Sequence, residues 1–262
     1  LAAVLKAKAE NLSLPGDVIL SMTVDEEAGG ELGAEYLVKE HPHLFENVRY
    51  ALSEFGGFNL TVAGKKLYLI QIAEKIACPV RITFSGSGGH AANPVKNGAM
   101  AKLGRALLAL NNKSLPMHGT MPVKEMVNKI ASGFGGMTGF LFRQLLNPVI
   151  SPFLFRILGK QVSMFSPLLH NTVSPTILSA SDKVNVIPSK VELVLDGRLL
   201  PGFSNLEMEQ ELRKILGDDC ILESDLPHPG PTTADMGLFQ DLALSLSQLD
   251  PSGIPVPYVN PA

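Results

Sequence analysis

The sequence predicts an α/β protein: a mixed or parallel sheet flanked by helices, joined to a second, smaller α+β sheet of β-α-β-β-α-β order. Three observations carry this. The first 53 residues space strand, helix and strand as a parallel unit does. Around residue 194 the chain alternates cleanly, with Val191, Leu193 and Leu195 on one side and Glu192, Val194, Asp196 and Arg198 on the other. At 262 residues and 45% hydrophobic content, the chain is long and apolar enough for two cores.

Taken in order, a helix over Leu1–Ala9 and a Leu14-Pro15-Gly16 turn lead into a strand at Asp17–Thr23. Gly29-Gly30 then opens a helix over Glu31–Glu40, and a strand follows at Val48–Ser53. In open parallel sheets, sites gather at the carboxyl ends of strands, where Glu26-Glu27 and Glu54 are expected. From Cys78 the texture changes. A strand at Val80–Phe84 runs into Ser85-Gly86-Ser87-Gly88-Gly89-His90, then a helix from Asn97 to Leu110 whose Met100, Leu103, Leu107 and Leu110 share a face. A Gly/Pro/Met-rich helical insertion covers Lys113–Asn171, and strands return at Thr176–Val186 and Lys190–Leu200. Ser204-Asn205-Leu206-Glu207 is a capping box for a helix closing at Gly217, and a strand follows at Ile221–Glu223. The tail over Asp235–Pro257 reads helix then strand and is expected to rejoin the first sheet. The domain boundaries expected from this are 1–76, 77–226 with its insertion at 113–171, and 227–262.

A net charge of −3 gives no overall footprint for nucleic acid or an acidic membrane. Cys78 and Cys220 form no redox or metal pair, so no disulfide framework is implied and a cytoplasmic setting is expected. The apolar stretch Gly133–Gly159 is interrupted by Arg143, Gln144, Pro148, Pro152 and Arg156, short of the ~20 residues a spanning helix needs. It reads as helices packing on a core or on a partner. The chain opens in mid-helix without a signal-peptide pattern and stops just after a strand at Val256–Val259, as a piece of a longer protein would.

Some residues carry chemistry. Asp25-Glu26-Glu27 follows the apolar run Val18–Met22, and two adjacent carboxylates at a buried strand end cannot both serve a core. Either they form a solvated turn, or one binds a cation while its neighbour works as a base. Glu54, in Ser53-Glu54-Phe55-Gly56-Gly57, would bring a third carboxylate, a set suited to a metal ion that acidifies a bound water. His90, in its glycine-rich turn, is either structural or placed where a backbone or a neighbouring subunit approaches closely. Asp196 and Arg198 form either a surface ion pair or an arginine fork for a substrate carboxylate. Asn185, in Asn185-Val186-Ile187-Pro188, can supply an amide donor to a developing oxyanion.

Together these segments resemble the di-zinc aminoacylase/carboxypeptidase family, which includes glutamate carboxypeptidase, acetylornithine deacetylase and succinyl-diaminopimelate desuccinylase. The resemblance rests on Thr23–Gly30, Leu52–Gly57, Gly88–Pro94, Asn185–Pro188 and Asp196-Gly197-Arg198, which occur in the family's order. The insertion and Asn171–Thr176 look most like the carboxypeptidase-S-like branch, similar to N-acyl-amino-acid hydrolases. The resemblance implies a catalytic domain interrupted by a lid/dimerisation domain, two zinc ions (cobalt or manganese serving as well), and a possible homodimer through the lid. It implies a peptide or N-acyl amino acid substrate; from the charge and the interrupted apolar stretch, no nucleic acid and no membrane are expected as partners. The resemblance makes Glu26 the general base, Glu27 and Glu54 metal ligands, and His90, Asn185 and Arg198 the substrate-binding residues. The family's remaining ligands, a His-x-Asp, a separate Asp and a late histidine, would lie outside Leu1–Ala262. The chain is therefore expected to be a fragment lacking both ends of its catalytic domain, and inactive alone.

Other readings exist. Gly86-Ser87-Gly88-Gly89-His90-Ala91 fits G-x-G-x-x-A, but no acid for a ribose follows between Ala91 and Lys124. Ser87 lacks the first glycine of a nucleophile elbow. The serious rival is a non-catalytic, dimerising or regulatory homologue that has lost its metal site.

Overall fold

The computed structural model describes residues 1–53, 56, 58–159, 165–224 and 235–261. The chain divides into two compact units, Leu1–Ser53 and Glu54–Ala262.

The first unit is sparse. Helix α1 (Ala2–Ala9) buries no residue. Asp25, at φ 69°, opens a 3-10 turn over Glu26–Ala28, and Gly29 and Gly30 at φ 116° and 76° lead into a π-helical turn Glu31–Glu35 and helix α2 (Tyr36–Glu40). The two strands expected here, Asp17–Thr23 and Val48–Ser53, do not form. A strand exists only when a neighbour takes its backbone hydrogen bonds, and among the described residues neither segment pairs with another. The apolar side chains that would have faced a core remain exposed: Val18 at 60%, Leu20 at 49% and Leu52 at 71%. The Glu26-Glu27 pair therefore does not stand at the end of a buried strand.

The second unit holds two cores. Strands β1 (Asn59–Val62) and β2 (Lys65–Glu74) form an antiparallel hairpin. Its two-residue loop, Ala63 and Gly64, has φ 45° and 78°, the paired positive values that match the strand twist. Sequence reasoning passed over this hairpin, although Leu67 and Leu69 alternate with Tyr68 behind a glycine turn, a usable signal. Next come β3 (Ile76–Ala77), β4 (Val80–Ser85) and β5 (Gly89–His90). Helix α3 (Ala99–Asn112) then buries Ala99, Leu103 and Ala106. The insertion forms α4 (Met121–Phe134), α5 (Gly136–Gln144) and α6 (Ser151–Leu158).

The strand expected over Thr176–Val186 is instead two elements, β6 (Thr172–Ser179) and β7 (Val186–Ile187). Strand β8 (Lys190–Leu199) buries every second residue from Val191 to Leu199, as the alternation requires. Helix α7 (Asn205–Leu216) carries the full capping box between Ser204 and Glu207 and ends at Gly217. Strand β9 (Ile221–Ser224), helix α8 (Phe239–Leu249) and strand β10 (Ile254–Asn260) complete the order.

Strand β10 pairs in parallel with β2, so the first sheet, β1-β2-β10, is mixed. The second is antiparallel: β8 lies between β6 on one side and β3 and β4 on the other, and β9 joins β4. Helices α3 and α7 cover it through Leu103, Met208 and Leu212. The insertion helices pack into the first core, where Met126, Ile130, Phe142 and Leu154 meet Leu67, Leu69 and Val256. Gly139 lets α5 cross α4 closely, since a Cβ there would lie 2.2 Å from the Ala131 carbonyl oxygen.

Candidate active site

The glycine-rich run after β4 is built against the chain itself. A Cβ on Gly86 would lie 2.6 Å from the Ala99 nitrogen, and one on Gly88 would lie 2.9 Å from the Ile187 carbonyl oxygen. Both glycines are thus required by close backbone approach, with the Gly86 N–H donating to the Ser189 carbonyl at 2.9 Å. They do not form a phosphate cradle: α3 begins only at Ala99, after β5 and a turn. The close approach expected at this turn is made by the chain's own segment Ile187–Ser189.

That approach brings together His90 and Asn185. Strands β5 and β7 pair antiparallel, His90 opposite Val186, and the Ala91 N–H donates to the Asn185 carbonyl at 3.0 Å. Both side chains are exposed. His90 Nδ1 accepts from the Ala92 N–H at 3.2 Å. With Nδ1 engaged in this way, Nε2 is the ring nitrogen that can donate outward.

Arg198 sits on β8 with Asp196, on the face that alternation assigns them. Its Nε donates to Asp196 Oδ1 at 2.8 Å and its Nη2 to Oδ2 at 3.1 Å, a two-point pairing that fixes the guanidinium plane. Both side chains stay part-exposed, at 32% and 42%. The glycine between them is structural: a Cβ on Gly197 would lie 2.2 Å from the Cys78 carbonyl oxygen, while its own carbonyl accepts from the Cys78 N–H at 2.8 Å.

A residue that sequence reasoning missed supports this edge. Lys75 is 2% exposed, and its ammonium donates to the Pro167 carbonyl at 3.2 Å, the His170 carbonyl at 3.1 Å and Thr172 Oγ1 at 2.6 Å. All three N–H groups are used, and Thr172 is the residue paired opposite Arg198. Burial, then the nearby Arg198 charge, lowers its pKa to about 8 against a partial pull upward from Asp196. Nothing local marks it in sequence; burial was decided by the fold.

A second buried network ties the ends of the insertion to α7. Glu211, 5% exposed, pairs with His118 Nε2 at 2.5 Å and accepts from Asn171 Nδ2 at 3.1 Å. Asn171 Oδ1 accepts from the Leu200 N–H at 2.9 Å.

Glu26 and Glu27 lie in the exposed 3-10 turn. Their neighbour Asp25 shapes it, its Oδ2 accepting from the Leu32 N–H at 3.1 Å. Glu54 lies outside the described residues. Among the described residues no three His, Cys, Asp or Glu side chains gather as a metal site. Zinc in a hydrolytic site takes three protein ligands, so the described residues do not complete one themselves. Among them, no helix is long and apolar enough to cross a membrane.

Residues 72–221 match the peptidase dimerisation domain of the M20 family. The chain is 26% identical over 158 residues to the N-fatty-acyl-amino acid synthase/hydrolase PM20D1 of Bos taurus, covering 60% of this chain and 31% of that protein. It is 23% identical over 227 residues to the probable carboxypeptidase S-like 2 of Dictyostelium discoideum, covering 80% of this chain and 41% of that one. The chain thus spans well under half the length of these relatives. Its fold is similar to that of human carnosine dipeptidase 1, with a TM-score of 0.50 over 88% of this chain and 52% of that chain, at 14% identity. With the matching segment running from the end of β2 to the start of β9 and the antiparallel sheet covered by α3 and α7, the chain belongs to the M20 peptidase family through its dimerisation domain.

Proposed function

We propose that this chain is the substrate-gripping and dimer-forming part of a metal-dependent hydrolase that cleaves an amide bond beside a free carboxylate. The substrate is a peptide or an N-acyl amino acid. The pairing of β5 with β7 supports the reading most, because it sets His90 and Asn185, two residues with side chains able to donate, side by side on one exposed ribbon. Donors set in place before reaction stabilise the oxygen on which charge develops when an amide is attacked. Arg198, its plane set by Asp196, keeps N–H groups for the substrate carboxylate. Glu26 takes the proton of the attacking water and returns it to the leaving amine. Glu27 and Glu54 are the proposed ligands for zinc, or for cobalt or manganese in its place, which would supply an acidified water. The described residues do not assemble a full ligand set by themselves.

The names of the two relatives, an N-fatty-acyl-amino acid synthase/hydrolase and a probable carboxypeptidase S-like protein, support the substrate class. A homodimer through the lid fits edge strand β6, which among the described residues pairs only with β8. The burial of both cysteines, Cys78 and Cys220, fits a reducing, cytoplasmic setting.

The test is turnover of N-acyl amino acids by the complete protein. Glu26→Gln is expected to lower kcat at least about a hundredfold with metal content unchanged, and His90→Ala about a hundredfold or more. Near-normal turnover in both would remove these roles. A complete protein with no turnover at all would favour the dimerising homologue without catalysis.

A further inference from the structure

Helices α5 and α6 bury one face each in the first core, through Gly139, Phe142 and Leu154. The other face of each is apolar and open to solvent. On α5 Met137 is 73% exposed and Phe140 53%; on α6 Phe153 is 62% and Ile157 61%; in the turn between them Val149 is 84%. Helical periodicity sets Arg143 three residues beyond Phe140, and Arg156 three beyond Phe153, on these same outer sides, and both arginines are exposed. From Met126 to Ser181 there is no Asp or Glu, and the charged side chains are Lys129, Arg143, Arg156 and Lys160. This stretch is cationic within a chain whose net charge is −3.

We propose that the outer face of α5 and α6 docks on a lipid surface carrying anionic headgroups. Four apolar side chains enter the boundary between headgroups and acyl chains while the arginines meet the phosphates. The helices are too short to span a bilayer and lie along it instead. A second copy of the chain is a poorer occupant, since a twofold contact through this face would bring two cationic segments together with no carboxylate from either to pair them. The overall charge hides the signal because it averages this segment with an acidic remainder. The proposal is independent of the hydrolase reading.

The test is co-sedimentation of the 262-residue chain with vesicles of phosphatidylcholine alone and of phosphatidylcholine with about one-third phosphatidylserine. Binding is expected to the anionic vesicles, weakening as salt rises. Phe140→Ser with Phe153→Ser is expected to weaken it at least about tenfold, and Arg143→Gln with Arg156→Gln about thirtyfold with most of the salt dependence lost. All four positions are exposed, so circular dichroism is expected to stay unchanged. Absence of wild-type binding, equal binding to neutral vesicles, or undiminished binding by the phenylalanine pair overturns the proposal. So does a shift from dimer to monomer in the phenylalanine pair without vesicle binding, which would make the face a contact between copies.

Discussion

Residues 18–24 and residues 190–199 carry comparable apolar runs, yet one is irregular and the other the centre of a sheet. In β8, Leu195 is fully buried between β4 and β6; in the first unit, Leu20 is 49% exposed. The difference lies in their neighbours. Among the described residues the first run has no paired strand, whereas β8 is paired along both edges. Hydrophobic pattern therefore states what a segment would bury, and pairing decides whether it does.

The largest break in this comparison is expected from Leu195→Ala, about 3–5 kcal/mol of lost stability in urea unfolding through a buried cavity. Leu20→Ala is expected to cost under about 0.5 kcal/mol. Equal costs would show that residues 17–24 are buried in solution.

Next is Lys75. Its folded pKa, about 8, lies below the ordinary 10.5, so the unfolded chain binds more protons between those values and stability rises with pH across that window. A gain of about 2–3 kcal/mol is expected in the wild type relative to Lys75→Met, measured by urea midpoints from pH 7 to 10. Parallel pH profiles would place the ammonium in water.

Asn171→Ala is expected to cost about 1–3 kcal/mol, because it strands the buried Leu200 N–H and one oxygen of Glu211. Thermal unfolding checks it; a negligible loss would mean that water replaces the amide. Ser204→Ala, which removes one half of the capping box of α7, should cost only about 1 kcal/mol. A loss far above that would mean the cap does more than end a helix.

Local signals in the sequence were enough for much of the second unit. The alternation of Val191, Leu193 and Leu195, the capping box at Ser204 and the closing Gly217 each appear in the structure where they were read. Of the site residues, Asp196 and Arg198 share a face because side chains on a strand repeat every two residues. The partnership of His90 with Asn185 was not legible, since it depends on two short strands far apart in sequence pairing across Gly88. The glycine run pointed to a close approach without saying by what.

What the sequence determined by itself is therefore what local stereochemistry controls: strand faces, caps and turns, together with the motifs that relate it to its family. Tertiary structure alone decided that the insertion helices join the first core, that Lys75 is buried with its three donors used, and that residues 17–24 find no paired strand among those described. Each of these depends on backbone and side-chain groups meeting across long stretches of chain, and such meetings are selected by the packing of the whole domain, to which periodicity within one segment is blind.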